Sequence, residues 1–138
     1  MIGYVSFTMG GRILAGQLRE VREVVRATGI ERLDGARAPV TGLLVLRGQP
    51  VPVVDLRSGA GDGEDLAAGD VLVLQVAEGI LGLAVDRVHA VLGPDELVPA
   101  AGGRGIGLPA YVLEVRRDAR GTPVFVVSLP ALAGLVPA

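Results

Sequence analysis

The segment Val40–Arg57, VTGLLVLRGQPVPVVDLR, constrains the fold more than any other stretch of this chain. It reads as a β-hairpin. Leu43–Leu46 is a short apolar run, Arg47-Gly48-Gln49-Pro50 carries turn chemistry, and Val51–Leu56 is a second apolar run flanked by the charges of Asp55 and Arg57. Pro50 and Pro52 stand two apart, and alternate residues of a strand send their N–H groups to the same edge. That edge lacks two successive donors and cannot carry a full ladder beside the prolines. The second strand must therefore pair mainly through its other edge, or begin at the rim of its sheet. Arg47, Asp55 and Arg57 are then held at the ends of a stiff, otherwise apolar ribbon, which suits docking better than bond chemistry.

The remaining 120 or so residues offer ample material for a core. Half of the 138 residues are apolar, mostly aliphatic, with Tyr4, Phe7, Tyr111 and Phe125 as the aromatics. Such a chain is far too apolar to be disordered and is long enough for one domain or two small lobes. No cysteine is present, which excludes disulfides, thiolate nucleophiles and Cys-type zinc sites. The start, MIGYVSFTMGGR, has no basic stretch leading into an apolar one, so no signal peptide is expected. The apolar section 71–92 is broken by Gln75, Glu78, Asp86, Arg87 and His89 and does not read as a membrane span. A cytoplasmic location is the expectation.

Charge is unevenly distributed. Residues 1–57 hold eight arginines against five acids, a net of +3, and residues 58–138 hold five arginines against ten acids, a net of −5. This asymmetry favours contacts between unlike protein faces. With no lysine, no basic run and no aromatic stacking platform, a nucleic-acid role is poorly supported.

Along the chain, short apolar runs alternate with turn signals. Gly3–Met9 alternates as a half-buried strand, with Val5, Phe7 and Met9 on one face; Gly10-Gly11 turns it back into Arg12–Leu18. Three β-branched valines favour a strand over Val21–Thr28, with Val21, Glu23 and Val25 on one face and Arg22, Val24 and Arg26 on the other. Gly29–Pro39 is a polar connection. Ser58–Asp70 is a glycine-rich acidic loop, with room for one helical turn at 64–68. Val71–Ala77 and Ile80–Val85 form a buried hairpin, Asp86–Leu92 a further strand, Gly93–Pro109 a loop, and Tyr111–Arg117 with Thr122–Ser128 a last hairpin. Leu129–Leu135 reads as a short terminal helix with Pro130 in its first turn. Nine or ten short strands argue for an all-β barrel or sandwich, and the spacing hints at two similar halves.

The segments FTMGGRILAGQLREVREVVR (7–26), GLLVLRGQPVPVVDLR (42–57), LGLAVDRVHAVL (81–92) and YVLEVRRDARGTPVFVVSLPAL (111–132) together resemble the CheW-like family of bacterial chemotaxis coupling proteins. The resemblance rests on the pattern R-G-x-x-x-P-V-x-D-L-R followed by G-x-x-V-D-x-V. It implies a single domain over residues 1–138, built as two intertwined five-stranded SH3-like barrels sharing a core, with the boundary between lobes near 58–70 and a short C-terminal helix. It further implies non-enzymatic bridging between chemoreceptor cytoplasmic tips and the regulatory domain of the histidine kinase CheA. Carried over by motif, the receptor groove maps to Val21, Glu23, Val24 and Arg47. Three positions depart from the family pattern. Pro39–Gly42 is shorter than usual, Val45 stands where asparagine is common, and Glu114 stands where glycine is common.

Each candidate has a plainer reading. Arg47 is either a docking guanidinium able to grip a carboxylate through two hydrogen bonds or a solvated turn arginine, and exposed ion pairs contribute little. Asp55, Arg57 and Asp86 are better read as rim or structural charges that satisfy local groups. Glu23, an acid among valines, fits a binding edge. The GAGDGED loop (59–65) lacks the ligand spacing of a calcium site and would repel phosphate, and GGRGIG (102–107) lacks the dinucleotide glycine spacing. His89, the single histidine, has no partner set for a metal, and no serine sits in a nucleophile context, so neither cofactor nor metal nor enzymatic activity is expected. The alternatives are a coupling module of another array, such as one controlling twitching motility, or an unrelated small-molecule-binding β-barrel.

Overall fold

The structure is a computed structural model that describes residues 3–57, 68–100 and 107–135. The helical turn expected at 64–68 and the GAGDGED and GGRGIG segments lie wholly or largely outside these residues. The described chain is almost entirely β. Its strands are β1 (Tyr4–Met9), β2 (Arg12–Gln17), β3 (Val21–Arg26), β4 (Glu31–Arg32), β5 (Gly42–Leu46), β6 (Gln49–Asp55), β7 (Asp70–Val76), β8 (Gly79–Val85), β9 (Arg87–Leu92), β10 (Val98–Pro99), β11 (Val112–Arg117) and β12 (Pro123–Val127). A 3₁₀ turn spans Leu18–Glu20, and one short helix, α1, spans Leu129–Leu132. Ser128 caps α1 by accepting the Ala131 N–H, and Pro130 occupies a first-turn position where its missing N–H costs nothing.

Two six-stranded sheets result. One runs β10-β11-β12-β2-β1-β9, the other β3-β7-β8-β6-β5-β4. Each contains five longer strands and one two-residue strand at an edge, so the five-stranded expectation describes the longer strands of each sheet. The pairing senses also match position by position. Taken from β9 and from β3, both sheets read antiparallel, antiparallel, parallel, antiparallel, antiparallel. The two similar halves are thus a repeat of topology in which the N-terminal hairpin β1–β2 completes the sheet of the C-terminal strands.

The connection at 58–70 joins β6 to β7, two strands of the same sheet, while the chain passes between sheets at Leu18–Glu20 and at Asp86. The division of charge between chain halves is therefore not a division between sheets, because Arg12 on β2 lies with Arg87, Arg116 and Arg117 in one sheet. The two-residue strands β4 and β10 lie in segments expected to be loop, and α1 is shorter than the expected Leu129–Leu135.

The proline argument holds in detail. β6 pairs with β5 along its length, from Gln49↔Leu46 to Val53↔Gly42. Its parallel ladder with β8 begins only at Val53↔Gly82, just past Pro52.

Among the described residues, three clusters make up the core. The largest lies between the sheets and includes Val5, Phe7, Leu14, Leu72, Leu74, Leu83, Val127 and Leu129. A second is enclosed by the β3-to-β4 sheet, around Leu44, Val53, Val71 and Val73. A third, around Tyr4, Ala15, Leu97, Val124 and Val126, lies on the other side of the β1 sheet. β1 therefore buries both faces, Val5 and Phe7 in the shared cluster and Tyr4 in the third. The half-buried reading of its alternation is corrected, because a strand between two cores needs apolar contact on either side.

Candidate functional site

β3 is an edge strand, and it pairs with β7 in the register Val21↔Leu74, Glu23↔Val73, Val24↔Leu72 and Val25↔Val71. Arg22 is the extra residue of a β-bulge between Val21 and Glu23. Partners in an antiparallel pair point to the same face. Leu72 and Leu74 face the shared cluster while Val71 and Val73 face the enclosed one. The bulge therefore turns Val21 and Val24 toward one side of β3, and Glu23 and Val25 toward the other.

Arg47 sits at the tip of the β5–β6 turn with φ +49°, a left-handed conformation uncommon for a non-glycine residue, followed by Gly48 at +80°. Its guanidinium reaches back to β3. Nη1 donates to Glu23 Oε1 at 3.1 Å and Nη2 to Glu23 Oε2 at 2.5 Å. The pair is two-pronged and open to water, with the Arg47 side chain 67% and the Glu23 side chain 27% exposed. The hydrogen bonds from Arg47 hold the Glu23 carboxyl below the usual carboxylate range, and those same bonds raise the proton affinity of Arg47. β3 and the β5–β6 turn are not neighbours in the sheet order. This contact exists because the sheet curls until its edge meets the hairpin tip.

Of the four groove residues expected from sequence, the structure brings Glu23 and Arg47 together. Val21 is half-buried against the shared cluster. Val24 is 42% exposed, on the face of the strand opposite Glu23. The site is thus an ion pair on one side of a sheet edge with an exposed valine on the other side. The hairpin adds an apolar surface that sequence reading treated as part of a uniform run. Leu44 points inward to the enclosed cluster, while Val45, opposite Pro50, is 61% exposed on the outer face. The alternation within LLVL was the available signal.

The rim charges are engaged in local hydrogen bonds. Arg57 is almost fully buried and donates from Nε to Asp55 Oδ1 at 2.9 Å, from Nη2 to Asp55 Oδ2 at 2.7 Å and from Nη1 to the Ala68 carbonyl at 2.7 Å. Burial works against the charged form of Asp55, but its hydrogen bonds and the Arg57 charge outweigh it and hold the carboxyl below its usual range. Asp86 accepts the Gly10 N–H at 2.9 Å and ties the β1–β2 turn to the start of β9. Glu114 accepts from Arg116 Nε at 2.7 Å, and Arg116 in turn donates to the Leu97 carbonyl at 3.0 Å. That brace gives the glutamate at this position a structural task. His89 lies across the β1–β9 ladder in contact with Thr8. Among the described residues, no group of three His, Cys, Asp or Glu side chains is placed to hold a metal ion.

Comparison with known proteins agrees with this architecture. A family model described as "CheW-like domain" matches residues 3–136. The chain is similar to the chemotaxis protein CheW of Treponema pallidum, 26% identical over 94 residues that make up 64% of this chain and 55% of that protein. A probable chemotaxis protein CheW of Rhizobium etli is 29% identical, the match covering 68% of this chain and 63% of that protein. The chemotaxis protein CheW of Rhizobium meliloti is 31% identical, over 64% and 58% of the two chains. These matches span less than two thirds of each relative's length. Among solved structures, the scaffolding protein TtCheW of Thermoanaerobacter tengcongensis superposes with a TM-score of 0.70 at 23% identity, covering 94% of this chain and 90% of that one. It supports the fold.

Proposed function

The chain belongs to the CheW-like domain family, and on that footing we propose that it is a non-enzymatic adaptor coupling chemoreceptor cytoplasmic tips to the regulatory domain of the histidine kinase CheA. The observation that carries this reading is the Glu23–Arg47 pair. It sets a guanidinium of defined orientation on an exposed sheet edge, with Val24 exposed on the other face of that edge and Val45 exposed on the outer face of the hairpin. A guanidinium held in place loses little entropy on meeting a partner carboxylate, and exposed aliphatic side chains supply the desolvation that a lone ion pair lacks. The receptor contact is placed on this edge, with Val21 supporting it from the shared core, and the kinase contact on a separate surface. No helix among the described residues is long and apolar enough to cross a membrane. In this proposal the adaptor works in the cytoplasm, beside the receptor tips.

The reading of a small-molecule-binding barrel meets a packing objection. The space enclosed by the β3-to-β4 sheet is filled by Leu44, Val53, Val71, Val73 and Ala84, all buried. The test is retention of this protein by an immobilised receptor cytoplasmic fragment. Wild type should be retained and Arg47→Glu lost, with both showing the same circular-dichroism spectrum. Undiminished retention of a folded Arg47→Glu protein would remove this edge from the receptor contact.

A further inference from the structure

At one end of the β1 sheet, strand register brings two arginines to either side of a proline. Arg117 on β11 stands opposite Pro123 on β12. β12 and β2 run parallel with Phe125 beside Leu14, so two residues back along both strands Pro123 comes beside Arg12. Neighbours across a sheet point to the same face. Arg117, Pro123 and Arg12 therefore project together, with Val115 and Phe125 one step inward on that face. Phe125 is half-buried at the margin of the shared cluster, while Pro123 and both arginines are exposed.

Arg12 lays its guanidinium over the Phe125 ring, 5.3 Å from the ring centroid. Stacking sets the plane of the cation and leaves its N–H edge free to donate. Neither Arg12 nor Arg117 has a carboxylate partner among the described residues. Arg117 makes one long hydrogen bond, from Nη1 to the Gly121 carbonyl at 3.4 Å. Arg116, which points to the opposite face, is by contrast engaged by Glu114 and the Leu97 carbonyl. The acids at this end are tied to backbone. Asp118 Oδ1 accepts the N–H groups of Arg120 and Thr122, and Asp86 Oδ2 accepts that of Gly10. Beside the stacked pair lies a cleft of 240 Å³ lined by Ile13, Pro123 and Phe125.

We infer that this end of the sheet docks an acidic, extended segment of a protein partner, with carboxylates on Arg12 and Arg117 and an apolar side chain in the cleft. It is a second contact surface, in the sheet that does not carry the Glu23–Arg47 pair. Arg12 and Arg117 stand two strands apart, about 10 Å. In a polyproline-II-like segment, residues three apart return to the same side after about 9 Å, so two acids at that spacing meet both cations. Two-pronged, charge-assisted hydrogen bonds orient the segment, and the apolar side chain supplies the desolvation. At 240 Å³ the cleft falls below the roughly 300–1,000 Å³ of small-molecule sites and suits a single side chain. The guanidinium already covers the Phe125 ring, which leaves no bare aromatic platform for a nucleobase.

A short synthetic peptide with two glutamates three positions apart, leucines between them and serines outside tests this against the full chain, by amide chemical-shift mapping and calorimetry. Shifts should centre on Gly11, Arg12 and Phe125. Arg12→Gln and Arg117→Gln should each weaken binding by about tenfold, the loss expected for a charge-assisted pair, with circular dichroism unchanged. The same peptide with glutamines for glutamates should bind no better to wild type than the acidic one does to Arg12→Gln. Should Arg12→Gln fail to fold, Arg117→Gln and the glutamine peptide decide. Several results would overturn the inference: shifts centred on the Glu23–Arg47 edge, full affinity in the folded variants, or equal binding of the glutamine peptide. So would no binding at about 1 mM, or tighter binding of a single-stranded oligonucleotide than of the acidic peptide.

Discussion

Arg47 and Glu23, 24 residues apart in the chain, meet through two parallel hydrogen bonds that join the tip of the β5–β6 hairpin to the edge strand β3. The pair closes the curl of its sheet and orients the guanidinium at once. The double exchange Glu23→Arg with Arg47→Glu separates these roles. Thermal melting should stay close to wild type, because an exposed pair contributes little and the exchange restores it in reverse. Retention by a receptor fragment should still be lost, since the cation has moved to β3.

The pair also shows what the sequence could and could not disclose. Both residues stand out in it, Arg47 in a turn and Glu23 among valines. Their contact does not, since it depends on how far a sheet curls. Nor does the face taken by Val21, which the bulge at Arg22 moves from the side of Glu23, where alternation placed it, to the side of Val24. The long strands were legible from alternation and turn residues. β4 and β10 were not, because two residues carry no periodicity. The assignment of strands to sheets was hidden for a similar reason. Nothing local in β1–β2 says that this hairpin joins the C-terminal strands.

Arg57 is the charge whose loss should unsettle the fold. Arg57→Met leaves Asp55 without its main partner and the Ala68 carbonyl without this donor, in a setting where the arginine side chain is only 5% exposed. Breaking a buried pair from one side costs about 3 kcal/mol. A fall in melting temperature of roughly 10 °C follows for a domain of this size. A fall of a degree or less would show that the network carries no weight.

Asp55 gives the acid side of the stability profile. Its carboxyl titrates lower in the folded chain than in the unfolded one, so its contribution is fully present above the ordinary aspartate range. It should be lost as pH drops below about 4 toward the depressed value. Asp55→Asn should therefore flatten the decline of denaturation midpoint with acid in that window. An unchanged slope would assign the acid sensitivity elsewhere.

Gly16 is constrained by packing, since Leu129 fills the position of the missing Cβ and is itself fully buried. Gly16→Ala should displace α1 and destabilise the protein by about 1–3 kcal/mol, seen as a lower denaturant midpoint. A neutral result would mean that the helix shifts freely.

The central claim is that this protein holds a receptor and a kinase domain at the same time, through different surfaces. Size-exclusion chromatography with light scattering on a mixture of this protein, a receptor cytoplasmic fragment and the CheA regulatory domain measures that directly. A ternary species that Arg47→Glu reduces to the kinase-bound pair is the predicted result. Mutual exclusion of the two partners, or binding of neither, would contradict it.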